Sequence, residues 1–457
     1  NMISVPVQGG SGVRKYDQLI LSLKEKMASG EYSAGMKIPS IRHLAAQYGV
    51  SKSTVIKALD TLEREHLLYS VERSGYYVVK TKQSAGKQDS TWIDFASSAP
   101  DPVVFPYVDF QHCINLAIDL YQNDLFIYGT ANGLPSLLPV ISKRLMDYQV
   151  FANPEQIVMT SGIQLALSIL STIPFPNGKQ TILVEQPGYH LYLQYLEKNQ
   201  LPVRGIQRTE KGIDLQELER IFREEEIRFF YTMPRFQNPL GTSLSKQEKR
   251  AIAALAEKYD VYIVEDDYIA DLEFDAKRDP IYSYDQAGKV IYLKSFSKII
   301  FPGLRTGAVV LPEELIGPFS EHKRLIDIDS SMLSQAALEI YLKSGMFERH
   351  RDRMQTTYRN RSKQLVTCLK NDQIAYQLGE EEPATHTHLR VDRSIPMNQL
   401  IQQLKKASVS VQSIGRHYLS THQKDPILQL NIWHVKEDQI TRGVELLKTA
   451  LQKIGRY

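Results

Sequence analysis

The sequence predicts a two-part α/β chain: a small basic helical head with a β-hairpin, then a large unit whose mostly parallel sheet is covered by helices on both faces. Three observations lead there. The 457 residues exceed one compact domain. Positive charge gathers at the N-terminus, and from residue 157 onward apolar β-rich runs alternate with amphipathic stretches. At 42% hydrophobic and 23% charged, the composition is that of ordinary globular protein rather than of a disordered chain. Residues 1–82 hold 12 Lys and Arg against 7 Asp and Glu, while the remainder carries a net −2. A polyanionic partner therefore docks most favourably on the head.

Cys113 and Cys368 are the only cysteines, so no disulfide framework and no CxxC metal pair is expected, and a reducing compartment, the cytoplasm, is the expected location. No apolar run approaches membrane-spanning length and no signal-peptide order is visible, so no membrane partner is expected.

In the head, "KYDQLILSLKEKMASGEY" sets Tyr16, Leu19, Ile20, Leu23 and Met27 on one helical stripe, with Gly30 as a stop. Ser40 can cap and Gly49 can end "SIRHLAAQYG", and Ser51 can cap "SKSTVIKALDTLEREH", whose Val55, Leu59 and Leu62 face inward. Two short helices joined by a tight glycine-containing turn follow helix-turn-helix grammar. "LLYSVERSGYYVV" then reads as a hairpin turning through 72–75, the wing. On this reading Lys52, Ser53 and Thr54 enter the major groove of double-stranded operator DNA, while Arg42, Lys57 and Arg73 reach phosphates or groove edges. A three-helix bundle with a solvated face accounts equally for the helices, and the hairpin decides between the two. The stretch "KIPSIRHLAAQYGVSKSTVIKALDTLEREHLLYSVERSGYYV" closely resembles the DNA-binding domain of GntR-type bacterial transcription regulators. That family often carries an arginine where Ile56 stands, so the resemblance implies altered base contacts.

The expected head spans 12–80 and a flexible linker 81–92, because "KTKQSAGKQDST" is polar and without periodicity. In the third segment, 93–457, the runs "IVMT", "TILVEQ", "IRFFYTMP", "VYIVEDD", "VIYLKSFS" and "GAVVLP" are spaced by helical stretches. Ligands of such sheets sit beyond the carboxyl ends of the strands. Those ends present Thr160-Ser161-Gly162, Tyr189, Asn238, Asp266, Tyr268 and Lys298.

Their chemistry converges on pyridoxal phosphate. A lysine ending a buried strand has the desolvated amine that favours a Schiff base. A carboxylate such as Asp266 keeps a pyridine nitrogen protonated. A phosphate fits a helix N-terminus, supplied by "SGIQ" (Gly162, Ile163, Gln164), together with Ser295, Ser297 and Arg305. Tyr189 can stack on the ring. Each signal alone is weak, since "SxSK" is commonly a surface turn and "EDDY" a solvated strand end, but their joint order is hard to reach by chance.

Residues 93–457 resemble the fold-type I aminotransferases, with a large sheet domain and a small α+β domain, and the fusion to a GntR head resembles the MocR branch of GntR regulators. The resemblance implies Lys298 as the Schiff-base lysine, Asp266 on the pyridine nitrogen, Asn238 and Tyr268 on the ring hydroxyl, and Tyr189 stacked. It implies a phosphate cup of Gly162, Ile163, Gln164, Ser295, Ser297 and Arg305, and a homodimer in which Tyr128 of "YGTANG" reaches the neighbouring subunit's phosphate.

The departure lies in "LQLNIWHVKED", where His434 stands at the place expected for the carboxylate-binding arginine; Arg442 is the alternative if that alignment is displaced. A histidine is a weaker, monodentate and pH-dependent substitute. The sequence thus argues against efficient transamination. It favours a regulator sensing an amine, amino-acid-like or vitamin B6 effector over an active aminotransferase with a DNA-binding appendage, and over a cofactor-free dimerisation scaffold.

Overall fold

The computed structural model describes residues 15–33, 35–64, 67–71, 75–78, 92–125, 127–275, 278–371 and 385–454. Arg73 and residues 81–91 of the expected linker lie outside them. The chain divides into two compact units, Asn1–Thr91 and Trp92–Tyr457.

The first unit holds α1 (Lys15–Ala28), α2 (Ile41–Tyr48), α3 (Lys52–Arg64) and the antiparallel pair β1 (Leu68–Val71) and β2 (Gly75–Val78). Leu19, Leu23, Leu44, Val55, Leu59, Leu62 and Val78 form its core. Ser40 caps α2 by accepting the His43 N–H, and Gly49 ends it at φ 58°, a left-handed conformation that suits glycine. Ser51 Oγ accepts the Thr54 N–H at 3.1 Å and starts α3.

The second unit runs β3 (Ile93–Asp94), α4 (Tyr107–Tyr121), α5 (Leu138–Leu145), β4 (Ile157–Thr160), α6 (Ile163–Thr172), β5 (Thr181–Gln186), α7 (His190–Lys198), β6 (Val203–Thr209), β7 (Gly212–Ile213), α8 (Leu215–Glu224), β8 (Ile227–Thr232), α9 (Lys246–Tyr259), β9 (Tyr262–Asp266), β10 (Val290–Ser295), β11 (Gly307–Val310), α10 (Glu313–Ile326) and α11 (Met332–Lys343). It ends with α12 (Met346–Asn371), β12 (His386–Arg390), α13 (Met397–Lys406), β13 (Val409–Ser410), β14 (Gln412–Ser413), β15 (Ile427–Asn431) and α14 (Glu437–Ile454). The large sheet has the order β4-β11-β10-β9-β8-β5-β6-β7. Strands β10, β9, β8, β5 and β6 are parallel neighbours, and β11 runs antiparallel between β10 and β4.

Successive strand residues face opposite helical layers, so both faces are apolar. Val158, Val184, Tyr231 and Val264 pack with α6 and α7, whereas Met159, Tyr292 and Ala308 pack with α4, α5 and α11. Because the central strands share one direction, Gln186, Thr232, Asp266 and Ser295 all finish on one edge. Register also brings Gly307 opposite both Ser295 and Thr160 there.

A smaller sheet, β12-β15-β14, packs on α12, α13 and α14 through Leu389, Leu428, Leu430, Leu365 and Val444. It meets the large sheet's edge through the turn at 237–242. His386 Nε2 lies 3.0 Å from the Gln237 carbonyl and His388 Nδ1 2.8 Å from that of Leu240. Gly241 adopts φ +77°, and a Cβ there would collide with the His386 backbone carbonyl. Gly241→Ala is therefore expected to lose about 2 kcal/mol or more through clash and backbone strain, read as a lower thermal midpoint of the purified protein.

Candidate functional site

Asp266 ends β9, which lies between parallel strands β10 and β8, and is buried with it. Tyr231, near the end of neighbouring β8, donates its hydroxyl to Asp266 Oδ2 at 2.8 Å. Asp266 Oδ1 is buried with no hydrogen-bond partner. Burial, with the negative charge of Asp267 nearby, raises the carboxyl to a pKa of about 7 despite the Tyr231 hydrogen bond. The same carboxylate acts electrostatically on Tyr189 and Tyr268, whose hydroxyls burial raises above their ordinary range.

Lys298 follows β10 in the turn at 296–300. Its Nζ donates to the Ser98 carbonyl and sits 5.7 Å from the centre of the Trp433 ring. Burial alone lowers its pKa to about 8. The residue as a whole is half-buried.

Thr160-Ser161-Gly162 leads from β4 into α6, whose N-terminus no side chain caps. Gly162 has φ +90°, and a Cβ on it would stand 2.7 Å from the Arg305 guanidinium, so only glycine lets Arg305 close over the helix start. Arg305 itself is left-handed at φ 49° and donates to the Ser161 carbonyl at 3.3 Å. Opposite, Ser295 Oγ accepts the Ser297 N–H at 3.3 Å, and Ser297 Oγ is buried without a partner. Ile163 and Gln164 form the first turn of α6, and Gln164 donates to the Tyr189 hydroxyl at 2.9 Å, joining the helix start to the ring wall.

Asn238 Oδ1 accepts from Gln429 Nε2 at 3.2 Å. Behind it, buried Glu185 receives Gln237 Nε2 at 3.2 Å and Thr232 Oγ1 at 2.7 Å and pairs with Arg208, fixing the turn that carries Asn238. The Tyr268 hydroxyl donates to the Phe236 carbonyl at 3.1 Å.

The orphan atoms test whether pyridoxal phosphate fits. Asp266 Oδ1 lacks the donor that a protonated pyridine nitrogen supplies. Ser297 Oγ and the uncapped α6, closed over by Arg305, lack the acceptors that a phosphate supplies. The donor set fits the group.

Two expected residues stand apart from this cluster. Tyr128 is 78% exposed. His434 is half-buried in the turn after β15, with no hydrogen bond or ion pair to the cluster among the described residues, and Arg442 is exposed on α14. Gln429, five residues before His434, is what β15 sets against Asn238. Sequence reasoning passed over Gln429, Tyr231, Trp433 and Ser98. Only the strand pairing β8/β9 could have singled out Tyr231, and a neutral Gln in "LQLN" gives no chemical signal.

On the head, Arg42, Lys52, Ser53 and Lys57 are exposed and Thr54 half-buried. Ser51 Oγ lies 2.8 Å from both the Ser53 and Thr54 hydroxyls, so the capping network holds these two in place and leaves their remaining lone pairs for a ligand. Ile56, 40% exposed, stands among these polar groups and offers an apolar contact instead of a charge. Among the described residues no cluster of metal-ligating side chains occurs, and no helix is long and apolar enough to cross a membrane.

A family model described as "Aminotransferase class I and II" matches residues 92–446, and one described as "Bacterial regulatory proteins, gntR family" matches 15–78. The chain is 53% identical to an uncharacterized HTH-type transcriptional regulator of Bacillus subtilis, YcxD, over 96% of this chain and all of that one. It is 28% identical to the HTH-type transcriptional regulator NorG of Staphylococcus aureus over 74% of this chain and 82% of the relative. Among solved structures it matches the kynurenine aminotransferase of Pyrococcus horikoshii with a TM-score of 0.72 and 25% identity, over 80% of this chain and 92% of that one.

Asp266 allows a direct check of the electrostatics. Its carboxyl is raised in the folded protein, so its stabilising contribution is complete below the unfolded-state pKa of about 4 and is lost as pH rises to about 7. In cofactor-free protein, Asp266→Asn should gain stability relative to the native chain across that window, by at most about 1.4 kcal/mol per pH unit, and plateau above it. Denaturant midpoints at several pH values measure this difference.

Proposed function

The chain belongs to the class I and II aminotransferase family and carries a gntR-family regulatory head, and we propose that it is a MocR-type regulator whose large unit binds pyridoxal phosphate and senses an amine effector. Its matches make it a DNA-binding transcription regulator with an aminotransferase-like domain. The cofactor reading rests on Asp266 Oδ1, a buried carboxylate oxygen at a strand end of the large sheet with no donor of its own.

When bound, the cofactor supplies an aldehyde that condenses with amines and a ring that withdraws electrons. Asp266 would hold the ring nitrogen protonated, and the gain of that donor would pull its own carboxyl back toward the ionised form. Tyr189 would cover one ring face, and Asn238 and Tyr268 would meet the ring hydroxyl. Gly162, Ile163, Gln164, Ser295, Ser297 and Arg305 would take the phosphate. Lys298, whose amine burial brings within reach of neutrality, would bind the aldehyde until an effector amine takes its place. Release of Lys298 is the event that makes one arrangement of the protein more favourable than another, as any ligand switch requires.

Gln429 supports sensing over turnover. An arginine facing Asn238 would clamp a substrate carboxylate bidentately, whereas a neutral amide supplies no charge for that orientation. A homodimer is part of the proposal: Ile127, Tyr128, Leu325 and Ile328 are exposed apolar residues, and Asp329 accepts the Gly129 N–H at 2.5 Å, which joins the two segments that carry them. Tyr128 is then free to reach the partner's phosphate. The proposed operator contacts are those of Arg42, Lys52, Ser53, Thr54, Lys57 and Arg73.

Two measurements test the proposal. The visible spectrum of protein incubated with pyridoxal phosphate should show a band that borohydride removes and that Lys298→Ala alters; a native protein that stays colourless overturns the cofactor reading. The rate of cofactor capture should rise with pH through about 8, as Lys298 loses its proton. On operator DNA, Lys57→Ala should weaken binding and reduce the slope of log affinity against log salt by about one; an unchanged slope removes Lys57 from the phosphate contacts.

A further inference from the structure

Next to the proposed cofactor seat, the turn between β14 and β15 presents a cation that nothing among the described residues neutralises. Arg416 lies in the short 3-10 turn Gly415–His417, is exposed, and has neither a hydrogen bond nor an ion pair among the described residues. The turn is pinned to the segment carrying Tyr189. The Gly188 N–H donates to the His417 carbonyl at 2.8 Å, and His417 Nδ1 lies 2.9 Å from the Gly188 carbonyl. The His417 ring packs at 4.7 Å from that of His190, the residue after Tyr189. Arg416 is close enough for its charge to bear on both imidazoles.

The histidine rings of this region bring no negative charge to Arg416. Burial lowers His190 and His386 to about 4 and His417 to about 3, so each ring is uncharged near neutral pH. The charge of Lys298 bears on His386, and His386 in turn on His417, the neighbour of Arg416. No carboxylate figures among the groups acting on these histidines. His190 Nδ1 is moreover buried with no hydrogen-bond partner, so a ligand group that meets it makes a bond the chain leaves unmade. On the opposite wall, Gln429 against Asn238 is neutral.

We propose that Arg416, with His190 beside it, is the subsite that receives an acidic group of the effector, so that the effector is an amine bearing a carboxylate remote from the nitrogen that displaces Lys298. The inference rests on the amine-sensing reading above. It reverses the polarity expected of the site: the charge that orients the ligand comes from the Tyr189 side, out of the β14–β15 turn, and the Asn238 side contributes neutral hydrogen bonding. A guanidinium is suited to this because it meets a carboxylate with two parallel N–H donors and keeps its charge at every physiological pH.

The test is calorimetric titration of the cofactor-loaded full chain with ω-amino acids of three to five carbons, each beside the primary amine of the same chain length. Calorimetry reads binding whether or not Lys298 is displaced, and the visible spectrum of the same samples reads displacement. The native protein should prefer the carboxylate-bearing member by about tenfold or more. Arg416→Gln should bring that ratio close to one, and Arg416→Lys should restore part of it. Arg416 is exposed and unpartnered, so neither substitution removes a contact on which folding depends. A preference that survives Arg416→Gln, or a native protein that binds the two members of each pair equally, overturns the assignment. A calorimetric preference that depends on Arg416 without any spectral change upholds the subsite and overturns the displacement of Lys298.

Discussion

One buried carboxylate sets the terms for the large unit. Asp266 ends a strand flanked on both sides by parallel neighbours, and the packing around them buries it. Tyr231 satisfies one oxygen because the β8/β9 register carries it to the same strand edge. The other oxygen is unmatched. A buried polar atom left unpaired costs about 1–3 kcal/mol, and the sheet around it is extensive enough to hold it in place. The chain thus maintains in its large sheet a group that a cationic donor would relieve, with Tyr189 and Tyr268 near enough to feel its charge.

Other polar interior groups have the opposite character. Glu185 is buried as deeply, yet it pairs with Arg208, accepts from Thr232 and Gln237, and so fixes the turn that carries Asn238. Glu265 accepts the backbone N–H groups of Ile281 and Tyr282, both at 2.8 Å. Such satisfied networks rigidify their surroundings. Two carboxylates within one strand, Glu265 and Asp266, thus differ in character: both oxygens of the first accept hydrogen bonds, and only one of the second does.

Much of this was legible in the sequence. The head's capping serines, its Gly49 stop and its apolar stripe are local signals, and the structure forms those elements where they fall. The apolar strands β4, β5, β8, β9, β10 and β11 were equally plain. Strand β6, "VRGIQRT", was not, because Arg204, Arg208 and Gly205 hide its alternation; Arg208 is buried there only because Glu185 on the neighbouring strand receives it. The C-terminal departure was visible as a missing arginine, but its location was not. Attention fell on His434, whereas β15 turns Gln429 toward Asn238.

The sequence by itself determined the two-part organisation, the strand ends and the residue types that chemistry requires there, since these follow from periodicity, caps and turn residues acting over a few positions. Tertiary structure alone decided which oxygen of Asp266 stays unpaired, which residue faces Asn238, and that His417 stands beside Gly188 across more than two hundred residues of chain. Those outcomes depend on strand order, on side-chain packing and on the loss of water at particular atoms. They exist only once distant segments have met.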